Sequence, residues 1–258
     1  MSSLTGLPAT VRGAFAEAIA NPKAFWAQVG VMIANDLAWC AFWVLFFRRV
    51  GEVRGWDADR ALLLLAIFAT SAGVVLGVFA NSRHIGRLLA DGGLDAALAL
   101  PVSPLPHLLV RRMSTVNLGD GLFGVVLFLA TGDPDLERTA IFLVGALASS
   151  GLLLGFLVAT GSLGFFAGRG EAGDMGFHAI LLLSNYPADF FGGATKLLVY
   201  TALPAAFVSA VPARLVDDFD PGLAALELLA AAVALFAGWA IFTAGLRRYA
   251  SGSVWTQA

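Results

Sequence analysis

The chain has 258 residues, with 16 Lys and Arg against 18 Asp and Glu, and 59% of it is hydrophobic. At 13% charged it falls far short of the ~25% typical of a soluble domain. Lipid must cover most of such a surface, which excludes a soluble enzyme. A net charge of −2 without a basic tract excludes a nucleic-acid binder. Fourteen of the basic residues are Arg; the two lysines, Lys23 and Lys196, follow Pro22 and Thr195. Neither stands in the Gly-Lys-Ser/Thr context whose lysine reaches nucleotide phosphates, so any ATP must be hydrolysed by another chain. Cys40 is the sole cysteine, which rules out an intrachain disulfide or a Cys-rich metal site.

In chain order, residues 1–22 lack the apolar core of a cleaved signal. Their mixture of Val11, Phe15 and Ile19 with Arg12 and Glu17 predicts an interfacial amphipathic helix ended at Asn21-Pro22. Apolar stretches follow at Ala24–Phe47, Ala61–Ala80, Thr115–Thr131 (or from near Leu105), Ala140–Phe166 and Leu223–Leu246. Each approaches the ~20 residues a membrane crossing needs. Between Phe177 and Val216 lies a composite region, divided by Asn185-Tyr186-Pro187, Gly192-Gly193, Pro204 and Pro212. It reads as one span followed by re-entrant half-helices over 185–216, a form tolerated at membrane depth where protein or water covers the backbone. The expected fold is an all-α membrane protein with six transmembrane helices, forming a single permease-like domain over the whole chain.

With both termini placed in the cytoplasm, inside segments carry nine basic residues and outside segments six. This bias favours that orientation. The segment 81–113 is too apolar for a solvated loop and too broken to span. Gly92-Gly93 separates two short helices, and Pro101, Pro104 and Pro106 are expected to end the second. It suits a helix docking to a partner or one resting on lipid headgroups. Within it, Arg83 and Arg87 lie four residues apart, on one face of a helix. They serve either to pair with acids on a partner or to anchor the inside end.

Ionisable groups within spans are costly and point to function. Asp36 sits midway along the first span beside Asn35, Asp120 lies in the third and Glu227 about one turn into the last. Asp189 and Lys196, seven apart, would pair if that stretch is helical. Asp36, Asp189, Lys196 and Glu227 are the candidate translocation-path residues. Gly73 with Gly77, and Gly151 with Gly155, are GxxxG spacings that favour close helix packing, within the chain or across a dimer. The GxGxxG spelled by residues 168–173 has no strand before it and reads as a turn. Ser149-Ser150-Gly151 with His178 lacks the glycine two places before the serine that an intramembrane serine protease needs.

Three clusters carry a family resemblance. Gly55-Trp56-Asp57 before Ala61–Leu65 resembles the start of the second span in bacterial ABC transporter permeases of the type-2 exporter superfamily, in the "ABC-2 family transporter protein" branch. Gly93-Leu94-Asp95 with Leu98, Pro101, Ser103, Pro104 and Leu105 resembles that branch's cytoplasmic signature. Tyr186-Pro187, Pro204–Val208 and Pro212-Ala213 are similar to its late Pro-rich region. Where the family has Arg before Pro101, this chain has Leu100.

The resemblance implies six spans, an interfacial first helix, a cytoplasmic coupling helix over 81–113 and re-entrant helices before the last span. It also implies dimerisation with itself or a sister permease in a bacterial inner membrane, and two separate ATPase subunits that hold ATP and Mg. No cofactor is then expected in this chain. Arg83, Arg87, Asp91, Leu94 and Asp95 become the candidate ATPase-coupling residues, with Asp95 also suited to cap a helix beginning at Ala96. The competing reading is an ion-coupled secondary transporter, which should show inverted repeats and broken helices in both halves.

Overall fold

The computed structural model describes residues 7–18, 20–100, 103–167 and 171–249. Among them every regular element is helical, apart from one bridge between Val53 and Trp56. A short helix α1 (Leu7–Ala18) precedes α2 (Pro22–Val50) and α3 (Ala58–Val78). A 3-10 turn (Ala80–His84) leads into α4 (Ile85–Ala90), α5 (Asp95–Leu98) and α6 (Pro104–Val110), and then α7 (Thr115–Thr131). Next come α8 (Leu136–Ser162), α9 (Gly164–Ala167), α10 (Glu171–Ser184), α11 (Gly193–Tyr200), α12 (Ala205–Val208), α13 (Ala210–Asp217) and α14 (Pro221–Leu246).

The long helices start where the sequence supplies an oxygen for an otherwise unpaired N–H. Asn21 Oδ1 accepts from Ala24 N at 3.2 Å, Asp57 Oδ1 from Arg60 N at 2.9 Å and Asp135 Oδ1 from Arg138 N at 2.7 Å. Asp220 Oδ1 accepts from both Gly222 N and Leu223 N at the head of α14. The connection from α2 to α3 is a tight turn closed by reciprocal backbone bonds between Val53 and Trp56, at 2.9 and 3.0 Å. Its central residues Arg54 and Gly55 have φ of 52° and 80°. Both are left-handed, as a primed turn requires.

Among the described residues four helices are long and apolar enough to cross a membrane: α2, α3, α8 continued by α9, and α14. α6 and α7 qualify only as a pair, bent by 82° at the break between them. Two boundaries differ from the sequence expectation here. The prolines at 104 and 106 open α6 rather than ending a helix, because a first turn has no N–H partners for proline to remove. The composite region opens earlier than expected, with the fourteen-residue α10 from Glu171, which is shorter than a full crossing.

α3 is the axis of the bundle. An unbroken run from Ala61 to Ile67 is buried, as expected of a helix apolar on all sides. Glycines let its neighbours approach closely. A Cβ on Gly73 would lie 2.1 Å from Gly121 N of α7, and one on Gly124 would lie 2.5 Å from Thr70 N of α3. On the other side, a Cβ on Gly155 of α8 would lie 2.3 Å from Ala234 C of α14. α2 and α14 are peripheral and expose apolar side chains such as Val31, Leu45, Leu229 and Phe236.

The stretch from Ser184 to Asp217 dips into the bundle and returns. Phe207 O of α12 accepts from Ser149 Oγ, midway along α8, at 3.2 Å. Arg214 at the end of α13 is back beside Asp189. Ser209 Oγ donates to the Ser184 carbonyl that α10's end leaves free, at 2.6 Å. All four residues of α12 are buried.

Candidate functional site

The segment between α3 and α7 has its own small core. Ile85, Leu94, Ala97 and Leu108 bury their side chains against Val158 of α8 and Phe242 of α14. Asn81 Nδ2 donates to Leu108 O at 2.8 Å, tying the start of the segment to its end. Ser114 N donates to Gly77 O at 2.9 Å, fastening the α6–α7 elbow to α3. Thr10 Oγ1 lies 3.3 Å from His107 Nδ1, so α1 rests on α6.

The five coupling candidates divide within this segment. Leu94 is fully buried and acts as its apolar anchor. Arg87 and Asp91 are exposed. Arg83 and Arg87 do not share one α-helix, since Arg83 belongs to the 3-10 turn and Arg87 to α4. Arg83 lies over the Phe177 ring at 5.7 Å and donates Nε–H to His84 Nε2 at 3.0 Å. Asp95 is the first residue of α5, and the cap position belongs to Leu94. The expected start at Ala96 is therefore one residue late. Leu98 and Leu100 protrude beyond the segment, 38% and 45% exposed. Burial, with Arg83, Arg87 and Arg112 close by, pushes the His84 imidazole down to about 4.

The acids that the sequence singled out fall in three different settings. Asp36 of α2 and Asp120 of α7, far apart in sequence, line one small cavity together, 8% and 4% exposed. Glu227 of α14 is 1% exposed and 3.5 Å from the Ser149 hydroxyl, with Oε2 unpaired. Asp189 and Lys196 do pair, at 3.1 Å, although a break at residues 191–192 separates the 3-10 turn of one from α11 of the other.

Asp189 is the hub of a larger cluster. Trp56 Nε1 and Arg214 donate to its Oδ2 at 3.0 and 2.5 Å, and Arg54 donates to its carbonyl. Burial raises its carboxyl, but the Trp56 and Lys196 hydrogen bonds and the Arg214 charge outweigh that and hold it below the usual range. Nearby, Asp217 accepts from both Arg60 of α3 and Arg138 of α8, at 2.6 and 3.4 Å. These two acids tie the α2–α3 turn, α3, α8 and the dipping segment together at one end of the bundle.

Sequence reasoning did not join Asp36 to Asp120, nor Asp189 to Trp56 and Arg214. Spacing along the chain carries no signal for contacts between separate helices. The crowding of Gly119, Gly121 and Gly124 around Asp120 was the available hint that α7 meets neighbours closely there. The GxGxxG turn lies partly outside the described residues. Ser149, from the protease-like dipeptide, directs its hydroxyl to Phe207 O.

This is the arrangement of a polytopic transport subunit: an apolar helical bundle, buried acids, and a folded basic segment at one end. The family model for ABC-2 family transporter protein matches residues 33–253, and the chain belongs to that family. It is a multi-pass membrane protein, the permease component of an ABC transporter. No curated protein and no solved structure matches it.

Proposed function

We propose that the chain forms half of the translocation pathway of an ABC exporter, and that two separate ATPase subunits drive it through the segment 80–113. One observation carries this reading. Ile85 and Leu94 root the segment in the bundle, while Arg87, Asp91, Leu98 and Leu100 remain outside it. A surface so rooted moves with the helices beneath it, as a coupling element must. The exposed leucines and charges suit a helix-in-groove contact with acids at its rim. A second permease, identical or a sister chain, completes the pathway.

In this reading α2, α3, α7, α8, α10 and α14 make six crossings, and α11–α13 re-enter from the outer face. The segment 80–113 and both termini lie in the cytoplasm of a bacterial cell, with α1 on the inner face of the membrane. ATP and Mg are held by the ATPase subunits.

The test is affinity purification of the tagged chain from mild detergent. A stoichiometric, nucleotide-hydrolysing subunit is expected to accompany it. Asp95→Ala should reduce stimulated ATPase turnover of that complex more than it reduces membrane insertion. A chain that transports in vesicles without any hydrolysing partner would sink the proposal.

A further inference from the structure

The Asp36–Asp120 pair has no cation to balance it among the described residues. All four ion pairs found there involve Asp189 or Asp217. Asp36 Oδ1 has a long contact of 3.4 Å from Asn35 Nδ2, and no hydrogen-bond donor reaches Oδ2. Two facing carboxyls are both acceptors when ionised, and at low dielectric their repulsion is severe. Such a pair persists where a shared proton or a cation sits between or beside the oxygens.

A cavity of about 70 Å³ lies at the pair, walled by Asn35, Trp39, Phe123 and Asn185 as well as the two acids. That volume admits an ammonium group with little more. Asn35 and Trp39 also border a second, wider groove of about 270 Å³, which Ala38, Phe42 and Tyr186 complete. Trp39 stands edge-on to both Phe42 and Tyr186, at 5.9 and 5.8 Å. Acids lining one cavity and aromatic side chains lining the adjoining groove are the two features that recognise a desolvated organic cation. Neither feature alone specifies the ligand. Their junction at Asn35 and Trp39 does, because those two residues line both the acid-bearing cavity and the aromatic groove.

We propose that this junction is a binding site for a protonated amine with an aromatic or flat apolar body. The ammonium is held by Asp36 and Asp120 and the body lies against Trp39 and Tyr186. The site deepens the permease reading by naming a class of cargo. Its test needs no ATPase, so failure of one reading is distinguishable from failure of the other.

Equilibrium binding of radiolabelled phenethylammonium to the full chain in nanodiscs, corrected for empty discs, provides the measurement. Saturable binding is expected. Asp36→Asn and Asp120→Asn should each weaken it at least tenfold, while both variants insert and melt like the parent. Unlabelled 2-phenylethanol, the neutral isostere, should not compete, and sodium chloride at matched ionic strength should displace little. Trp39→Leu should weaken binding several-fold with the acids intact.

Four results would overturn the proposal. Equal competition by the alcohol would make the groove merely apolar. Full displacement by sodium would make the acids an inorganic-cation site. Undiminished binding in both Asn variants would leave the carboxyls as a structural pair sharing a proton. No saturable binding to folded chain would remove the site altogether.

Discussion

At the scale of single residues, the polar groups outside the bundle interior do most of the measurable work. His84 accepts a hydrogen bond from Arg83 in its neutral form, and its proton affinity is pushed down to about 4 by burial and neighbouring arginines. The unfolded chain binds that proton near pH 6.5. The folded state therefore loses stability as pH falls from about 6.5 towards 4 and loses no more from this group below that. His84→Gln should flatten this part of the dependence, read as the difference in melting temperature between variant and parent at pH 7.5 and 4.5. Asp189 presents the opposite case, a carboxylate that three donors require. Asp189→Ala leaves Trp56 Nε1 and Arg214 without their acceptor and should cost about 1–3 kcal/mol, towards the lower value because the cluster lies at a solvated rim. Asp189→Asn keeps an oxygen for Trp56 and should recover part of the loss in thermal melts. Sequence spacing made the Asp189–Lys196 pair legible. Trp56 and Arg214 were not, because they come from elements 133 and 25 residues away.

Between elements, glycine contacts set how closely helices pack, and the four GxxxG glycines are not equivalent. Gly73 and Gly155 meet backbone of the facing helix, Gly77 meets both side chain and backbone of Leu118, and Gly151 meets only side chains, those of Leu235 and Ala231. Gly73→Val must therefore separate α3 from α7, at about 3 kcal/mol or more, the upper range for overpacking. Gly151→Ala should stay within about 1 kcal/mol of the parent, since a small clash is offset by better helix propensity. Yield of monodisperse protein and melting temperature report both. The motif spacing could identify these positions as small because small-xxx-small is a property of one helix. Which atoms they meet is a property of two, and Gly121 and Gly124 on the facing helix fall outside that spacing. The long helices themselves were readable for a plainer reason: apolar length and an Asn or Asp cap are local signals.

For the whole molecule, the proposed orientation makes a direct prediction. In a Cys40→Ala background, Asp135→Cys should react with an impermeant maleimide added to intact cells, and Asp91→Cys should react only after lysis. The reverse pattern would invert the topology. Composition identified the solvent as lipid, and the breakers between Asn185 and Pro212 marked the segment that folds into the bundle and back. The two short helices α7 and α10 blurred the span count, because length and hydropathy were the only guides and the bundle supplies the remaining cover. The elbow of 82° between α6 and α7 also has a mechanical meaning. Its hinge is pinned to α3 through Ser114 and Gly77, so the two arms form a bell crank. Asp120 lies six residues along the second arm, roughly 9 Å at 1.5 Å per residue. A pivot of about 10° there would carry its carboxyl about 1.5 Å across the face of α2. A push delivered at one end of the bundle would thus be converted, over a single turn and a half of helix, into a change of distance between two buried acids.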